Sequence, residues 1–532
     1  MFLHMRKEKI IIKELIEQEK ETLSDLESFK RRMSKKHDLP CPSNMDLLKA
    51  YHELVKEGSI KRKKRIEKML RTRPVRSLSG IVNVSVLTKP YPCPGDCVYC
   101  PLQKGVPKSY LSGEPAVERA KKLGFDPYVQ TKRRLKMLEA EGHPLDKIDL
   151  RIIGGTWSFY PRDYQEWFVQ KCFEACNQEE APSLQKAQKI NEKAGRRIIG
   201  LSVETRPDFI SKEEIKNLRK LGVTKVELGV QSVDDRILGI SKRGHTKEAS
   251  IKAAKLLKDA GFKISYQMMV NLPGSTPKKD IESFEEIFSS AHFRPDLLKI
   301  YPCALVKEAP LYKLYLAGKY KPYSKETLIE TIKKIKGVVP YYTRIERIIR
   351  DIPSPQIVAG PAKISNLRQV VKKRVKKEGW RCKCIRCREI RDRPPSKERA
   401  LLHRQDYASS GGKEVFLTFE DVERKKLYSL LRLRIPSYVL QKERSEHFLP
   451  PLQNASIIRE VHTYGEAVPI EEKRQAPQHR GLGKKLIETA EKITKEEFKL
   501  SKIAVISAVG VREYYRKIGY KMEGTYMTKK LS

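Results

Sequence analysis

Apolar residues recur at helical spacing through the first 75 residues of the chain. One series comprises Ile11, Leu15, Leu23 and Leu26, and a second comprises Met45, Leu48, Tyr51 and Leu54. Apolar positions three to four residues apart line one face of an amphipathic helix, which packs that face against a partner. The pattern predicts a small helical domain.

From about residue 80 to 335, short apolar runs alternate with amphipathic stretches. The runs are IDLRIIGG, RRIIGLSVET, KVELGVQS, KISYQMMVNLPG and LLKIYP. Strands that alternate with helices form a parallel sheet built from βα units. The ends of one helix are marked, because Ser211 and Glu214 form a capping box and Gly222 can adopt the left-handed conformation that stops a helix.

The segment from about 399 to 532 has a different pattern. The runs VFLTFED, LYSLLRLRIP and SIIREVHTYGEAV predict strands of a mainly antiparallel sheet, followed by a helix over 481–498, the strand KIAVISAV and a short helix at REYYRKIG. Between about 360 and 398 the chain is strongly basic and contains cysteines, and Pro394 and Pro395 close this stretch as in a linker.

A chain of 532 residues is too long for one hydrophobic core. The patterns predict an α/β protein in four parts. These are a basic helical region at 1–78, a βα domain at 79–340, a cysteine-bearing basic linker at 341–398 and an α+β domain at 399–532.

The charge of the chain indicates a polyanionic partner. Lys and Arg number 109 against 66 Asp and Glu, a formal net charge of +43, which exceeds what solubility requires. Solvated helix faces of a heat-adapted protein are the alternative. The imbalance is one of sign, however, with basic clusters at 61–65 and 372–377, and this favours a nucleic acid as partner.

No apolar stretch reaches the roughly 18 residues needed to cross a bilayer, and the start MFLHMRKEKIIIKELIEQEK has the pattern of a charged amphipathic helix rather than a signal peptide. We therefore expect a cytoplasmic protein. In that compartment, closely spaced cysteines indicate metal binding or catalysis more often than disulfides.

The first cysteine cluster consists of Cys93, Cys97 and Cys100, in the loop KPYPCPGDCVYCP with Tyr99 before the last cysteine. Three thiolates can hold three irons of a 4Fe-4S cluster and leave the fourth iron open to bind S-adenosylmethionine (SAM). The alternative is a zinc knuckle, but structural zinc prefers four protein ligands. The motif resembles that of the radical-SAM superfamily, whose fold is a partial or complete (β/α) barrel.

Other candidate site residues follow predicted strands, where active sites of parallel βα folds gather. They are Gly154, Gly155, Glu204, Arg206 and Gln231. The resemblance implies that the glycine pair binds the SAM amino group, and that Glu204 and Arg206 contact its ribose or carboxylate. Taken alone, a glycine pair or a charged pair at a strand end can be purely structural.

A glycine-rich turn lies in the last domain, where Gln478, Gly481 and Gly483 fit Q-x-x-G-x-G before a predicted helix. Such glycines let backbone N–H groups approach a pyrophosphate at the positive helix end. The order of strand, turn, helix and strand resembles the GNAT acetyltransferase family. That resemblance assigns the pantetheine arm of acetyl-CoA to the backbone of Glu460, Val461, His462 and Thr463, the pyrophosphate to Leu482, Gly483 and Lys484, and the thioester end to Tyr515. Tyr514 is a further candidate, and core packing is the alternative for one of the two tyrosines.

The second cysteine cluster consists of Cys382, Cys384 and Cys387 in the basic linker. This set suits a zinc ion that staples the linker between two domains, with His403 or Cys303 as fourth ligand. A second iron–sulfur cluster is the alternative.

The combination of a radical-SAM domain, a cysteine-bearing linker and a GNAT domain resembles the family of Elongator catalytic subunits, in its single-chain archaeal and bacterial form. The stretches that carry the resemblance are ETRPD at 204–208, GVQSV at 229–233, RGHT at 243–246, RPD at 294–296, LLRLR at 430–434 and GVREYYRKIGY at 510–520. It implies that Lys147 contacts acetyl-CoA and that the other Elongator subunits are not required.

The resemblance also implies a reaction on the anticodon stem-loop of tRNA. A SAM-derived 5′-deoxyadenosyl radical takes hydrogen from the methyl group of acetyl-CoA, the carbon radical adds to C5 of the wobble uridine, and thioester hydrolysis leaves 5-carboxymethyluridine. An external electron donor is then needed, and the catalytic set is Cys93, Cys97, Cys100, Lys147 and Tyr515. A protein lysine acetyltransferase with a structural Fe–S domain is the alternative function.

Overall fold

The computed structural model describes residues 2–17, 23–391, 400–441, 446–465 and 481–531. Within these ranges, no helix has both the length and the apolar character needed to span a membrane.

The amino-terminal part is a helical domain with its own core. Its helices are α1 (Phe2–Glu17), α2 (Leu23–Lys36), α3 (Asn44–Lys56) and α4 (Lys64–Leu70). The buried residues that form its core include Ile11, Leu15, Leu26, Leu48, Tyr51 and Leu54. Met45 was expected in this core but is 47% exposed, because it lies in the first turn of α3, before the helix meets its neighbours.

The middle part is a parallel sheet of seven strands. The strands are β1 (Ile81–Leu87), β2 (Lys147–Ile153), β3 (Arg197–Thr205), β4 (Lys225–Gln231), β5 (Lys263–Val270), β6 (Leu297–Pro302) and β8 (Arg344–Arg347), paired in that order. The short strands β7 (Leu305–Val306) and β9 (Ile357–Ala359) pair separately. No pairing between β1 and β8 occurs in the described residues, so the barrel is partial, and the predicted fold is confirmed.

Helices connect these strands, and two more helices follow the last strand. Their bounds are α5 (Pro115–Lys122), α6 (Pro127–Ala140), α7 (Arg162–Asn177), α8 (Leu184–Asn191), α9 (Lys212–Lys220), α10 (Asp235–Ile240), α11 (Lys247–Asp259), α12 (Pro277–Ser289), α13 (Leu311–Leu316), α14 (Lys325–Val338), α15 (Leu367–Lys377) and α16 (Ile385–Arg388). The predicted cap is confirmed, because the Ser211 hydroxyl accepts the Glu214 N–H at 3.1 Å and Gly222 has φ +86°. The sheet continues to Arg347, past the boundary expected at residue 340, because β8 pairs with β6.

The carboxyl-terminal part is a mixed sheet with two helices. Its strands are β10 (Leu401–Ser409), β11 (Gly412–Glu420), β12 (Leu427–Ile435), β13 (Ala455–Thr463), β14 (Lys502–Val505), β15 (Lys521–Glu523) and β16 (Tyr526–Lys530), and its helices are α17 (Leu482–Glu496) and α18 (Arg512–Arg516). All neighbouring strands are antiparallel except β13 and β14. The sequence did not predict β10, β15 or β16.

Buried ion pairs join the barrel to the mixed sheet. Asp296, just before β6, accepts hydrogen bonds from Arg459 of β13 at 2.8 and 2.5 Å. Arg434 of β12 donates to Asp259 at 2.6 Å. All four side chains are buried, and a buried charge is tolerated only when it is paired and hydrogen-bonded. These pairs therefore fix the orientation of the two domains.

Candidate active site

The first cysteine cluster lies in the loop after β1, at the carboxyl-terminal mouth of the barrel. Cys97 is buried, and Cys93 and Cys100 are half-buried. The Cys93 Sγ is 3.8 Å from the Thr156 Oγ1 after β2, and Arg243 Nη1 is 3.5 Å from the Cys97 Sγ. Burial raises the pKa of the Cys100 thiol to about 12, so this thiol needs a metal or a nearby cation to become a ligand at neutral pH.

The glycines predicted to bind SAM have conformations that a side chain would disturb. Gly154 has φ +126°, and a Cβ built on it would overlap the Thr88 hydroxyl. Gly155 has φ +61° with nothing within 4 Å of a built Cβ, so its surface is open. A glycine at these positions allows close approach of a ligand to the backbone.

Arg206 and Gln231 lie beside the cysteine loop. A Cβ built on Gly95 of that loop would overlap Arg206 Nη1, and Gln231 has the strained φ of +69°. Within the described residues, the buried Arg206 Nη1 and Gln231 Oε1 have no hydrogen-bond partner. Buried polar atoms without partners are costly, so a donor and an acceptor are available here for a polar ligand. Three thiols with these two groups fit a cluster and the SAM that it binds.

Glu204 occupies the same mouth but points into the barrel. Its carboxylate accepts hydrogen bonds from the Tyr110 hydroxyl and from the Gln267 amide, each at 3.0 Å. Lys299 Nζ lies 3.5 Å away. The side chain is therefore held by three partners at the base of the predicted SAM site.

The predicted acetyl-CoA residues lie where β13 and β14 separate. These strands pair only over Ala455–Ile458 and Lys502–Val505, so the next residues of β13 are left open on that side. Gly481 caps α17 with φ +67°, and a Cβ built on Gly483 would lie 3.4 Å from the Thr463 Oγ1. The first turn of α17 thus faces the end of β13, and its N–H groups have no acceptor within the helix itself. Gln478 lies outside the described residues.

The side chains of Glu460 and His462 have strongly shifted pKa values. Burial alone would raise the pKa of Glu460, but Lys263 and Arg432 lower it to about 2. Burial lowers the pKa of His462 to about 4, and Arg344 adds to this effect against the opposing charge of Glu460. His462 is therefore a neutral imidazole at pH 7, and its buried Nε2 has no hydrogen-bond partner in the part of the chain that the structure describes.

A cavity of about 1200 Å³ brings the predicted acetyl-CoA residues together with Lys147. It lies between the mixed sheet and the amino-terminal ends of the barrel strands. Of the predicted residues, its lining contains Lys147, Glu460, Val461, His462, Thr463, Gly481, Gly483, Lys484, Tyr514 and Tyr515. Leu482 is buried and is not part of the lining.

Both tyrosines of α18 contribute to this cavity in different ways. Tyr515 is 6% exposed and packs in the core of the mixed sheet, whereas Tyr514 is 44% exposed. Burial raises the pKa of Tyr515 above its usual value. The core-packing alternative thus applies to Tyr515, although its surface also borders the cavity.

Sequence reasoning missed the basic lining of the cavity. The additional cations are Arg119, Arg134, Arg151, Lys225, Lys263, Arg344, Arg347, Arg386, Arg391 and Arg459. Three of them, Lys225, Lys263 and Arg344, are the first residues of barrel strands and lie far apart in the sequence. Only the order of the strands brings them together, so no local motif indicates them.

The second cysteine cluster is compact. The ligand atoms of Cys382, Cys384 and Cys387 all lie within 4.8 Å of one another. Thiol hydrogen bonds from its two neighbours hold the pKa of Cys384 well below the usual value. The expectation for the fourth ligand was wrong, since neither His403 nor Cys303 joins this group in the described residues. Cys303 instead packs in an apolar cluster with Tyr320, and His403 lies on β10.

Comparisons with known proteins agree with this architecture. Residues 5–78 match the ELP3 N-terminal domain, residues 91–287 the Radical SAM superfamily and residues 295–377 the Radical_SAM C-terminal domain. The tRNA uridine(34) acetyltransferase of Methanocaldococcus infernus is 45% identical over 504 residues, which are 92% of this chain and 92% of that protein. Elongator complex protein 3 of Homo sapiens is 37% identical over 546 residues, 98% of this chain and 96% of that protein.

A solved structure shares the fold. It is the archaeal Methanocaldococcus infernus Elp3 with an N-terminus deletion (1–46), which matches with a TM-score of 0.74 and 42% identity over 85% of this chain and 100% of that chain. The resemblance inferred from the sequence motifs is confirmed. The chain belongs to the radical-SAM family that contains the tRNA uridine(34) acetyltransferases and Elongator complex protein 3.

Proposed function

We propose that this protein is a tRNA-modifying enzyme that uses SAM and acetyl-CoA to form 5-carboxymethyluridine at the wobble position. The observation that supports the proposal is that the residues predicted to bind the two cofactors gather in two separate places, at opposite mouths of the barrel, in domains joined by buried ion pairs. An acetyltransferase acting on lysine needs only the acetyl-CoA site and would gain nothing from three cysteines that leave an iron open.

At the carboxyl-terminal mouth, Cys93, Cys97 and Cys100 would hold a 4Fe-4S cluster. When bound, such a cluster supplies the reductive cleavage of SAM, with electrons from an external donor. The open backbone at Gly155 would accept the SAM amino group. Arg206 Nη1 and Gln231 Oε1, which have no partner among the described residues, would form hydrogen bonds with other polar groups of SAM.

At the amino-terminal mouth, the first turn of α17 at Gly481 and Gly483 would bind the pyrophosphate of acetyl-CoA. The open edge of β13 at 460–463 would bind the pantetheine arm, with Lys147, Tyr514 and Tyr515 around the thioester. His462 is neutral, and its Nε2 has no hydrogen-bond partner among the described residues, so it would accept a hydrogen bond from a water molecule beside the thioester.

The substrate in this proposal is the anticodon stem-loop of a tRNA. The basic cavity lining and the basic amino-terminal helices provide the positive potential that phosphates require. A zinc ion at Cys382, Cys384 and Cys387 would hold the linker in place, since Cys384 packs in the barrel core and Ile385 packs against the mixed sheet. The single chain would act without the other Elongator subunits.

The test is an anaerobic assay with cluster-reconstituted protein, SAM, acetyl-CoA, dithionite and tRNA. Mass spectrometry follows 5′-deoxyadenosine and carboxymethyluridine. We expect both products, with the second dependent on acetyl-CoA, and loss of both in Cys97→Ala. The exposed Cys41 provides the matched control, since Cys41→Ala removes a thiol without touching either site.

Other outcomes would redirect the assignment. Formation of 5′-deoxyadenosine without modified uridine would support the assignment of SAM cleavage and contradict the assignment of tRNA as the substrate. Acetyl transfer to lysine in the absence of SAM would instead support the acetyltransferase alternative.

A further inference from the structure

The interior of the barrel is lined by charged residues. Lys225, Glu227, Lys299, Glu346 and Glu204 project into it from β3, β4, β6 and β8, and the first three are buried. Barrel interiors are usually filled by Val, Ile and Leu, and buried charges are expensive unless each is paired. An interior of this kind requires an explanation other than stability.

These side chains form a continuous series of ion pairs across the barrel interior. Lys225 Nζ is 3.2 Å from Glu346 and 3.0 Å from Glu227. Glu227 pairs closely with Lys299, and Lys299 lies 3.5 Å from Glu204. Each lysine therefore has two carboxylate partners.

The two ends of the series belong to the two proposed cofactor sites. Lys225 and Glu346 line the cavity that contains the proposed acetyl-CoA residues. Glu204 lies at the opposite mouth, beside Tyr110 and the cysteine loop. Glu227 and Lys299 connect the two ends of the series, and Lys225 and Glu227 are two residues apart on one strand, about 7 Å.

We propose that the barrel interior is the path by which the thioester arm of acetyl-CoA reaches the SAM site, and that the Glu227–Lys299 pair closes this path in the free protein. The inference rests on the proposed function, which requires reactants bound at opposite mouths to come into contact. Lys299 can turn from Glu227 to Glu204 while Lys225 stays beside Glu227, so this opening leaves neither ammonium group and neither carboxylate unpaired. A close-packed apolar interior could not open in this way.

The test uses one thiol placed at the pair, another placed in the cavity, and a CoA that reacts with thiols. Gln267 is paired in register with Lys299 and bonds to both Glu204 and Glu227. Gln267→Cys therefore places a thiol at the Glu227–Lys299 pair, which CoA reaches from the cavity only after passing Lys225. Ser85 lines the cavity, so Ser85→Cys places one on the acetyl-CoA side. The cluster-reconstituted full chain is treated with CoA 2-pyridyl disulfide. The cysteine thiolate attacks the CoA sulfur, an S–S bond to CoA forms, and pyridine-2-thione leaves and is measured by its absorbance.

Peptide mass mapping locates each CoA adduct. We expect adducts at both introduced cysteines, and we expect free CoA to compete with them, whereas the adduct at the exposed Cys41 should not respond to competition. Lys299→Met should raise the rate at the cysteine introduced at position 267 roughly tenfold, which corresponds to a closed state favoured by about 1.4 kcal/mol. It should leave the rate at position 85 unchanged, and Lys299→Arg should behave like the parent.

One outcome would overturn the proposed path and leave the acetyl-CoA site intact. It is an adduct at position 85 with none at position 267, found in the protein with Lys299 and again in the Lys299→Met variant. Absence of a competed adduct at either position would instead show that CoA does not bind in this cavity, which would overturn the proposed acetyl-CoA site itself. Circular dichroism of each variant verifies that the chain is folded.

Discussion

Arg243 Nη1 lies 3.5 Å from the Cys97 Sγ, and both side chains are buried at the carboxyl-terminal mouth of the barrel. The guanidinium also donates to the Gly229 carbonyl at 2.6 Å, so its position is set by the backbone of β4. A cationic donor beside a cluster ligand stabilises the more negative, reduced state of an iron–sulfur cluster.

Arg243→Gln is therefore expected to lower the reduction potential of the reconstituted cluster. Loss of a charge-assisted hydrogen bond of about 1.5–3 kcal/mol corresponds to roughly 60–130 mV for one electron. Potentiometry followed by electron paramagnetic resonance measures the shift. Arg236→Gln, at an exposed arginine of α10, is the control and should leave the potential unchanged. Equal potentials in the two variants would contradict this role of Arg243.

The second prediction concerns His462, which is half-buried. Its pKa is about 4 in the folded protein and about 6.5 in an unfolded chain. The unfolded chain therefore takes up the proton first as the pH falls, and the folded state loses stability between pH 6.5 and 4. His462→Gln should remove about 3 kcal/mol of this loss, measured by urea unfolding at a series of pH values. His292→Gln alters an exposed histidine and should keep the full pH dependence of the parent. A His462→Gln profile that matches the parent would show that this imidazole is charged or exposed.

Local signals in the sequence predicted local structure well. The capping box at Ser211 and the stop at Gly222 depend only on neighbouring residues, and both are present. The strand β10 was missed because it carries His, Arg, Gln and Asp and an exposed Leu402. The strands β15 and β16 are too short for their alternation to be recognised.

The chemistry of the site depends on contacts that no local motif contains. Arg344 and Lys263, which help to shift the pKa values of His462 and Glu460, belong to the other domain, more than a hundred residues away. The same is true of the ion pairs inside the barrel. The sequence indicated which residue types were available, and only the strand order determined which of them meet.

The third prediction addresses the joint between the domains. Arg459→Met would leave Asp296 and Glu414 without their main partner, since Arg459 bonds to both. Removing one partner of a buried ion pair costs about 3–5 kcal/mol, so calorimetry should show a clearly lower melting temperature. Arg404→Met breaks a partly exposed ion pair with Glu497 and should cost at most about 1 kcal/mol. Similar melting temperatures for the two variants would argue against a rigid joint.

The fourth prediction concerns the second cysteine cluster. Purified protein should contain one zinc ion per chain, and Cys384→Ser should reduce the zinc to below about 0.1 equivalent while the iron content stays unchanged. Elemental analysis by mass spectrometry measures both metals. Cys41→Ser serves as control and should retain the zinc. Loss of iron together with zinc would instead favour a second iron–sulfur cluster in the linker.

The fifth prediction tests the binding of acetyl-CoA at α17. Gly483 lies in the first turn of this helix, and a Cβ there would lie 3.4 Å from the Thr463 Oγ1 and 3.9 Å from the Val461 Cγ1. The branched side chain of Gly483→Val would fill the gap through which a pyrophosphate reaches the N–H groups of the helix. The Kd for CoA, measured by calorimetric titration, should rise at least roughly tenfold, a loss of about 1.4 kcal/mol of binding free energy. Gly239→Ala adds a methyl group where a built Cβ meets nothing within 4 Å, and it should bind CoA like the parent. A ligand held by the N–H groups of this turn must pass the side chain at position 483. If the Kd of Gly483→Val stayed within about twofold of the parent value, the pyrophosphate would have to bind at another place.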